Sequence, residues 1–146
     1  MSLTQRQIDL IQSSFEDIAE YPGEAASVFY GDLFARSPHL RPLFVNDMDR
    51  QGRKLINTLG AVVSQLQMFD LLLPELRDLA LRHVAYGVQP EDYVPVGDAM
   101  NTMVSKCLRS TPDPECAAAW AAAYSLLAEA MIALSNEDDR VDSWNQ

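Results

Sequence analysis

LPELRDLALRHVAYGVQPEDYVPVG, residues 73–97, is the stretch from which the rest of the chain is read. Leu76, Leu79, Ala80 and His83 recur at helical spacing, so they share one face of a helix. Pro74 suits the first turn of that helix, and Gly87 is placed to end it. His83 therefore points inward with the leucines. A histidine on an apolar face is either a core residue with its ring nitrogens satisfied or a ligand facing a pocket. As a ligand it would bind metal through Nε2 while Nδ1–H bonds a backbone carbonyl or another acceptor. The spacing alone leaves both open.

Outward from this segment the chain continues to read as helix. Toward the N-terminus, Leu55, Leu59, Val62 and Leu66 form one stripe on a long helix from about Asp49 to Gln67, with Gln51 one turn ahead of Leu55. Before it, Ser37-Pro38 stops a helix of about Glu24 to Phe34 and opens the short helical turn HLRPLF. Ile8, Ile11, Phe15 and Ile18 mark a first helix behind Ser2 or Thr4 as N-cap, broken at Pro22-Gly23. Toward the C-terminus, Asp92 precedes a helix carrying Val96, Met100, Met103, Val104, Cys107 and Leu108. Asp113 caps a last helix with Pro114 at its first position and Trp120, Ala123, Tyr124, Leu127, Met131 and Leu134 on its apolar stripe. No alternating strand pattern interrupts this. The expectation is an all-α domain over 1–146, with a polar, fraying tail from about residue 136.

Composition narrows the function classes. A formal net charge of −10 leaves no excess of Lys or Arg to displace phosphate counterions, and no nucleic-acid partner is expected. The same charge disfavours an anionic membrane, and no uninterrupted run of 18 apolar residues is present to span one. MSLTQRQ has no secretory character, and Cys107 and Cys116 are read as reduced thiols in a cytoplasmic protein. There is no P-loop, no nucleophile elbow and no zinc-finger spacing. The acidic run Glu137-Asp138-Asp139 resembles no EF-hand loop. Of the two histidines, His39 sits in SPHLRPLF beside a helix break, near solvent, and is not expected to ligate.

Four segments, in order, resemble one family. VFYGDLFARSPHLRPLF (28–44) is similar to the second and third helices of bacterial single-domain haemoglobins and flavohaemoglobins. QGRKLINTLGAVV (51–63) looks like their distal helix, residues 73–97 like their proximal helix, and AWAAAYSLLAEAM (119–131) like their last helix. The resemblance runs through nearly the whole chain. It implies a globin fold of six to eight helices around a pocket for haem b, iron protoporphyrin IX. It makes His83 the iron ligand, with Phe44 against the porphyrin, Tyr30, Gln51 and Leu55 on the distal, gas-binding side, and Tyr93 near the ligating ring. Leu79, Val88 and Val96 are further candidates for apolar walls, and Lys54 and Arg82 for the haem propionates.

The chain departs from the family in two places. The interval from Phe44 to Gln51 is shorter than in flavohaemoglobins; sliding the helix by one would put Arg50 or Gly52 in place of Gln51, but Leu55, Leu59 and Val62 fix the register. Ser135 stands where flavohaemoglobins carry a glutamate that meets the proximal histidine and tyrosine, which weakens the case for peroxidase-like chemistry. A reductase module is not expected within 1–146. The resemblance implies oxygen, carbon monoxide and nitric oxide as ligands. The leading role is reversible oxygen binding for storage, delivery or scavenging by a monomer or homodimer. Nitric oxide dioxygenation with a separate reductase and haem-based gas sensing are the alternatives, so whether the chain is an enzyme stays open.

Overall fold

The computed structural model describes residues 2–44, 47–108 and 113–144, without the side chains of 137–144. Six α-helices follow one another: α1 Gln5–Glu20, α2 Pro22–Arg36, α3 Met48–Ser64, α4 Phe69–Ala85, α5 Tyr93–Cys107 and α6 Pro114–Trp144. Short 3₁₀ turns at Pro38–Leu43, Leu66–Met68 and Pro90–Asp92 join them, and no strand occurs among the described residues.

Local chemistry sets most of the boundaries. Thr4, not Ser2, caps α1: its Oγ1 accepts from the Gln7 amide at 3.1 Å while Gln7 Oε1 accepts from the Thr4 amide at 2.8 Å, a closed capping box. Asp47 caps α3 through the Asp49 amide at 3.1 Å, and Asp113 Oδ1 takes the Glu115 amide at 2.9 Å at the start of α6. Gly87 ends α4 with φ +96°, the left-handed conformation that favours glycine. There the Gly87 amide bonds the Val84 carbonyl and the Val88 amide bonds the His83 carbonyl, both at 3.0 Å, the two bonds of a Schellman motif.

Four boundaries differ from the sequence reading. α2 begins at Pro22, whose fixed φ suits a first helical position, rather than near Glu24. α3 ends at Ser64, and Gln65 and the 3₁₀ turn take up what reads in sequence as its last residues. Pro74 lies inside α4, which starts at Phe69 because Leu72 is fully buried and has to join the helical face. The tail expected from about 136 is helical to Trp144.

The helices cross so that α2 lies against α5 and α3, and α6 against α4, α1 and α5. The main core, including Ile11, Ile18, Leu33, Met103 and Trp120, is shared by α1, α2, α3, α5 and α6. A second, small core of Leu72, Leu76, Ala80 and Met131 joins α4 to α6. By length and composition Pro114–Asn136 could cross a membrane; in the fold Cys116, Ala119, Trp120, Ala123 and Met131 on that helix are buried in the two cores. The axes of α3 and of the Leu66–Ala85 segment meet at 63°, which opens a wedge between the distal and proximal segments of the sequence reading.

The α2–α3 crossing depends on one glycine. A Cβ on Gly52 would lie 2.8 Å from Ala26 Cβ, whereas a Cβ on exposed Gly31 meets nothing within 4 Å. Gly52→Ala should therefore lower the Tm by about 3–10 °C through overpacking. Gly31→Ala should raise it by about 1–4 °C by restricting the unfolded chain. Thermal unfolding followed by circular dichroism checks both, and equal shifts would contradict the close crossing.

Candidate functional site

The wedge holds a cavity of about 310 Å³. α3 lines it with Gln51, Lys54, Leu55, Thr58 and Leu59, and α4 with Leu79, Arg82 and His83. Tyr30 enters from α2, Leu40, Leu43 and Phe44 from the turn after it, Val88 and Val96 from beyond α4, and Trp120, Tyr124 and Met131 from α6. The wall is mainly apolar, as a flat apolar cofactor requires.

His83 is oriented by its own helix. Nδ1–H donates to the Leu79 carbonyl one turn earlier at 2.8 Å, so Nε2 keeps the lone pair. Burial lowers the pKa of His83, the bond to Leu79 opposes that, and the charge of Arg82 lowers it further. The ring is thus held neutral, the form a metal ligand needs. The Schellman motif fixes the His83 carbonyl as well and brings Val88, its bonding partner, onto the cavity wall.

On the other wall Tyr30 is 7% exposed. Burial raises its phenol pKa, and the nearby Gln51 side chain opposes the rise. Its ring is fixed by Phe34, stacked at 5.7 Å, and by Phe44, edge-on at 5.3 Å. The register question at α3 has a clear geometric answer. Gln51 faces the cavity, Arg50 is exposed, and Gly52 packs on Ala26.

Ten of the eleven sequence-selected residues line this one cavity: Tyr30, Phe44, Gln51, Lys54, Leu55, Leu79, Arg82, His83, Val88 and Val96. Tyr93 does not. It lies behind the wall, stacked on the His83 ring at 6.3 Å with a 20° tilt. Its backbone carbonyl accepts the Tyr124 hydroxyl at 2.6 Å. The Ser135 hydroxyl is spent on the Ile132 carbonyl of its own helix. Among the wall residues that the sequence reading did not select are three polar ones, Thr58, Tyr86 and Asp92. Asp92 reads in sequence only as the residue before a helix. No local pattern shows that Asp92 is buried beside the cavity.

Residue types and cavity fit haem. The described residues contain no cluster of three or more His, Cys, Asp or Glu able to hold a bare metal ion. What the wall offers is one neutral imidazole, a broad apolar surface and two cationic side chains. Such a helical frame defines a protein that takes up a flat, apolar, metal-bearing cofactor through a single side-chain ligand. The globin family profile matches residues 27–131, and the chain belongs to the globin family; its cofactor is haem. Flavohemoprotein A of Dictyostelium discoideum is 30% identical over 90% of this chain and 34% of its own length. The chain thus spans about a third of the length of the curated flavohemoproteins that it matches. An uncharacterized globin-like protein of Aquifex aeolicus is 27% identical over 92% of this chain and 96% of its own. Among solved structures, a putative nitric oxide dioxygenase from Rhodothermus marinus, engineered as a carbene transferase, superposes with a TM-score of 0.81 at 25% identity over 97% of both chains. The flavohemoglobin of Malassezia yamatoensis, with bound FAD and heme, gives 0.77 at 26% identity over 94% of this chain and 37% of that one.

Burial raises the phenol pKa values of Tyr30, Tyr93 and Tyr124, most strongly at Tyr124. A group raised in the folded state loses its stabilising effect as pH rises above its unfolded value, about 10 for tyrosine. Apoprotein stability should therefore fall above about pH 10. With Tyr124→Phe the fall should be shallower by up to about 1.4 kcal/mol per pH unit. Urea unfolding at pH 9, 10 and 11 measures the slopes, and identical slopes would refute the assignment.

Proposed function

We propose that the protein binds oxygen reversibly, in a storage, delivery or scavenging role, with iron held by His83 in a single globin domain of the cytoplasm. One observation carries the reading: a pre-oriented imidazole, held neutral by burial, and the polar side chains of Tyr30 and Gln51 face the same apolar cavity. Haem, when bound, supplies an iron that takes a diatomic gas at the coordination position left open by the protein. His83 donates its Nε2 lone pair, and the bond to Leu79 holds the ring in that tautomer. Tyr30 or Gln51 would offer a hydrogen-bond donor to a partly charged gas ligand in this cavity. Phe44, Leu55, Leu79, Val88 and Val96 would exclude water and hold the porphyrin, Lys54 and Arg82 would pair with its carboxylates, and Tyr93 supports the histidine from behind.

Dioxygenation of nitric oxide is the second reading, favoured by likeness to flavohemoproteins and to the putative nitric oxide dioxygenase. Each cycle would join one oxygen and one nitric oxide into nitrate and would need one electron, from a separate reductase, to return iron to the ferrous state. The same cavity serves both readings. Nitrate formation with turnover on addition of a reductase and its nicotinamide donor would favour the enzyme, and a single turnover the carrier.

His83→Ala should lose stable haem binding and recover it with added imidazole, read from the Soret band of the purified protein. Because haem binds the folded chain, the variant as purified should also melt lower than wild type. An unchanged Soret band at full occupancy would remove His83 as the ligand.

A hydrogen bond to a partly charged ligand in a dry pocket contributes about 1.5–3 kcal/mol. Tyr30→Phe should then speed oxygen dissociation by about ten- to a hundredfold. Carbon monoxide carries less charge on its outer atom, so its dissociation should change by less than about threefold, whereas steric relief would alter both gases. Stopped-flow displacement of oxygen by carbon monoxide decides between the two. A large effect confined to Gln51→Leu would make the glutamine the donor.

A further inference from the structure

Among the described residues, Asp92 is the one carboxylate buried in the fold, at 6% exposure, and it lies on the cavity wall. Its Oδ2 accepts the Gln89 amide at 2.8 Å, within its own turn. Its Oδ1 accepts from His39 Nε2 at 3.3 Å, across 53 residues of sequence. His39 belongs to the Pro38–Leu43 turn, which carries Leu40 and Leu43 onto one edge of the cavity and leads into Phe44. Asp92 closes the Pro90–Asp92 turn, which with Val88 borders the cavity on another edge. The first turn rests on α2 and the second on α5, so each edge is anchored to a different helix. The edges also meet at Gly87, where a Cβ would lie 3.3 Å from Leu43 Cδ2.

We propose that His39 and Asp92 form a clasp across the edge of the haem cavity and act as positioning residues that slow the release of haem. An ion pair whose histidine side chain is 69% exposed adds little to global stability. Its place is what matters. It links two segments that reach one cavity from separate helices, so it breaks whenever the edges part and stays intact while they are closed. Its contribution therefore falls on the opening of the pocket, even where global unfolding is little affected. The imidazole is used here as a hydrogen-bond donor to a buried carboxylate, which would otherwise lose its partner outside its own turn. The inference rests on haem occupying this cavity and assigns to His39 a role unrelated to metal ligation.

The test measures haem loss from the ferric protein to excess apomyoglobin, with the apoprotein Tm recorded in parallel. His39→Ala should release haem about three- to fivefold faster, near the upper range for an exposed pair. Its apoprotein Tm should stay within about 1 °C of wild type, as expected for an exposed pair. His39→Gln, which keeps a donor, should restore most of the retention. His39→Asp sets two carboxylates face to face and should be faster still. In an Asp92→Asn background, His39→Ala should add less than about 1.5-fold, since the pair is already weakened. The clasp is overturned if His39→Ala lies within about 1.5-fold of wild type, if it has the same effect in both backgrounds, if His39→Gln is as fast as His39→Ala, or if the Tm falls in step with retention. A wild-type chain that takes up no haem would overturn the occupancy as well, whereas equal loss rates would overturn the clasp alone.

Discussion

The hydrogen bond from His83 Nδ1 to the Leu79 carbonyl is the interaction on which the site depends. It uses a carbonyl that already belongs to the helix, so it orients the ring without a further side chain. It also fixes the tautomer, and burial together with the charge of Arg82 keeps the ring unprotonated. The Schellman motif extends the same constraint to the main chain, because the His83 carbonyl holds the Val88 amide. Leu79 and Val88 therefore serve twice: each lines the cavity, and each fixes the histidine through its backbone.

The opposite wall follows another logic. Tyr30 is locked by aromatic neighbours, and it shares the cavity wall with Gln51. Ring packing sets where the hydroxyl can be, and burial keeps it protonated. Gly52, the neighbour of Gln51, lets α3 approach α2 closely, and Gln51 and Tyr30 line the same cavity.

The helical frame was legible because apolar periodicity, prolines and caps act over a few residues. The face shared by Leu76, Leu79, Ala80 and His83 is visible in the residues themselves. Ten of the selected side chains meet at one cavity because the family resemblance supplied long-range order that local pattern lacks. What escaped was tertiary. Pro74 reads as a helix start, yet the need to bury Leu72 extends α4 backward past it. Tyr93 does stand against the histidine ring, as the resemblance implies, but from the start of α5 it does not reach the cavity wall with which it is grouped. The His39–Asp92 contact joins two turns that no periodicity relates.

The division of the interior into two cores bears on how the cofactor is acquired. α4 carries His83 but contributes to the small core with α6, not to the large one. Its buried residues Leu72, Leu76 and Ala80 belong to that small core, which makes α4 a candidate for a cooperative unit of its own. Before haem arrives, amide protons of α4 should exchange sooner than those of α2 or α5, because opening α4 leaves the large core intact. Haem bound between α3 and α4 would tie α4 to the large core, so cofactor binding would slow that exchange more in α4 than elsewhere.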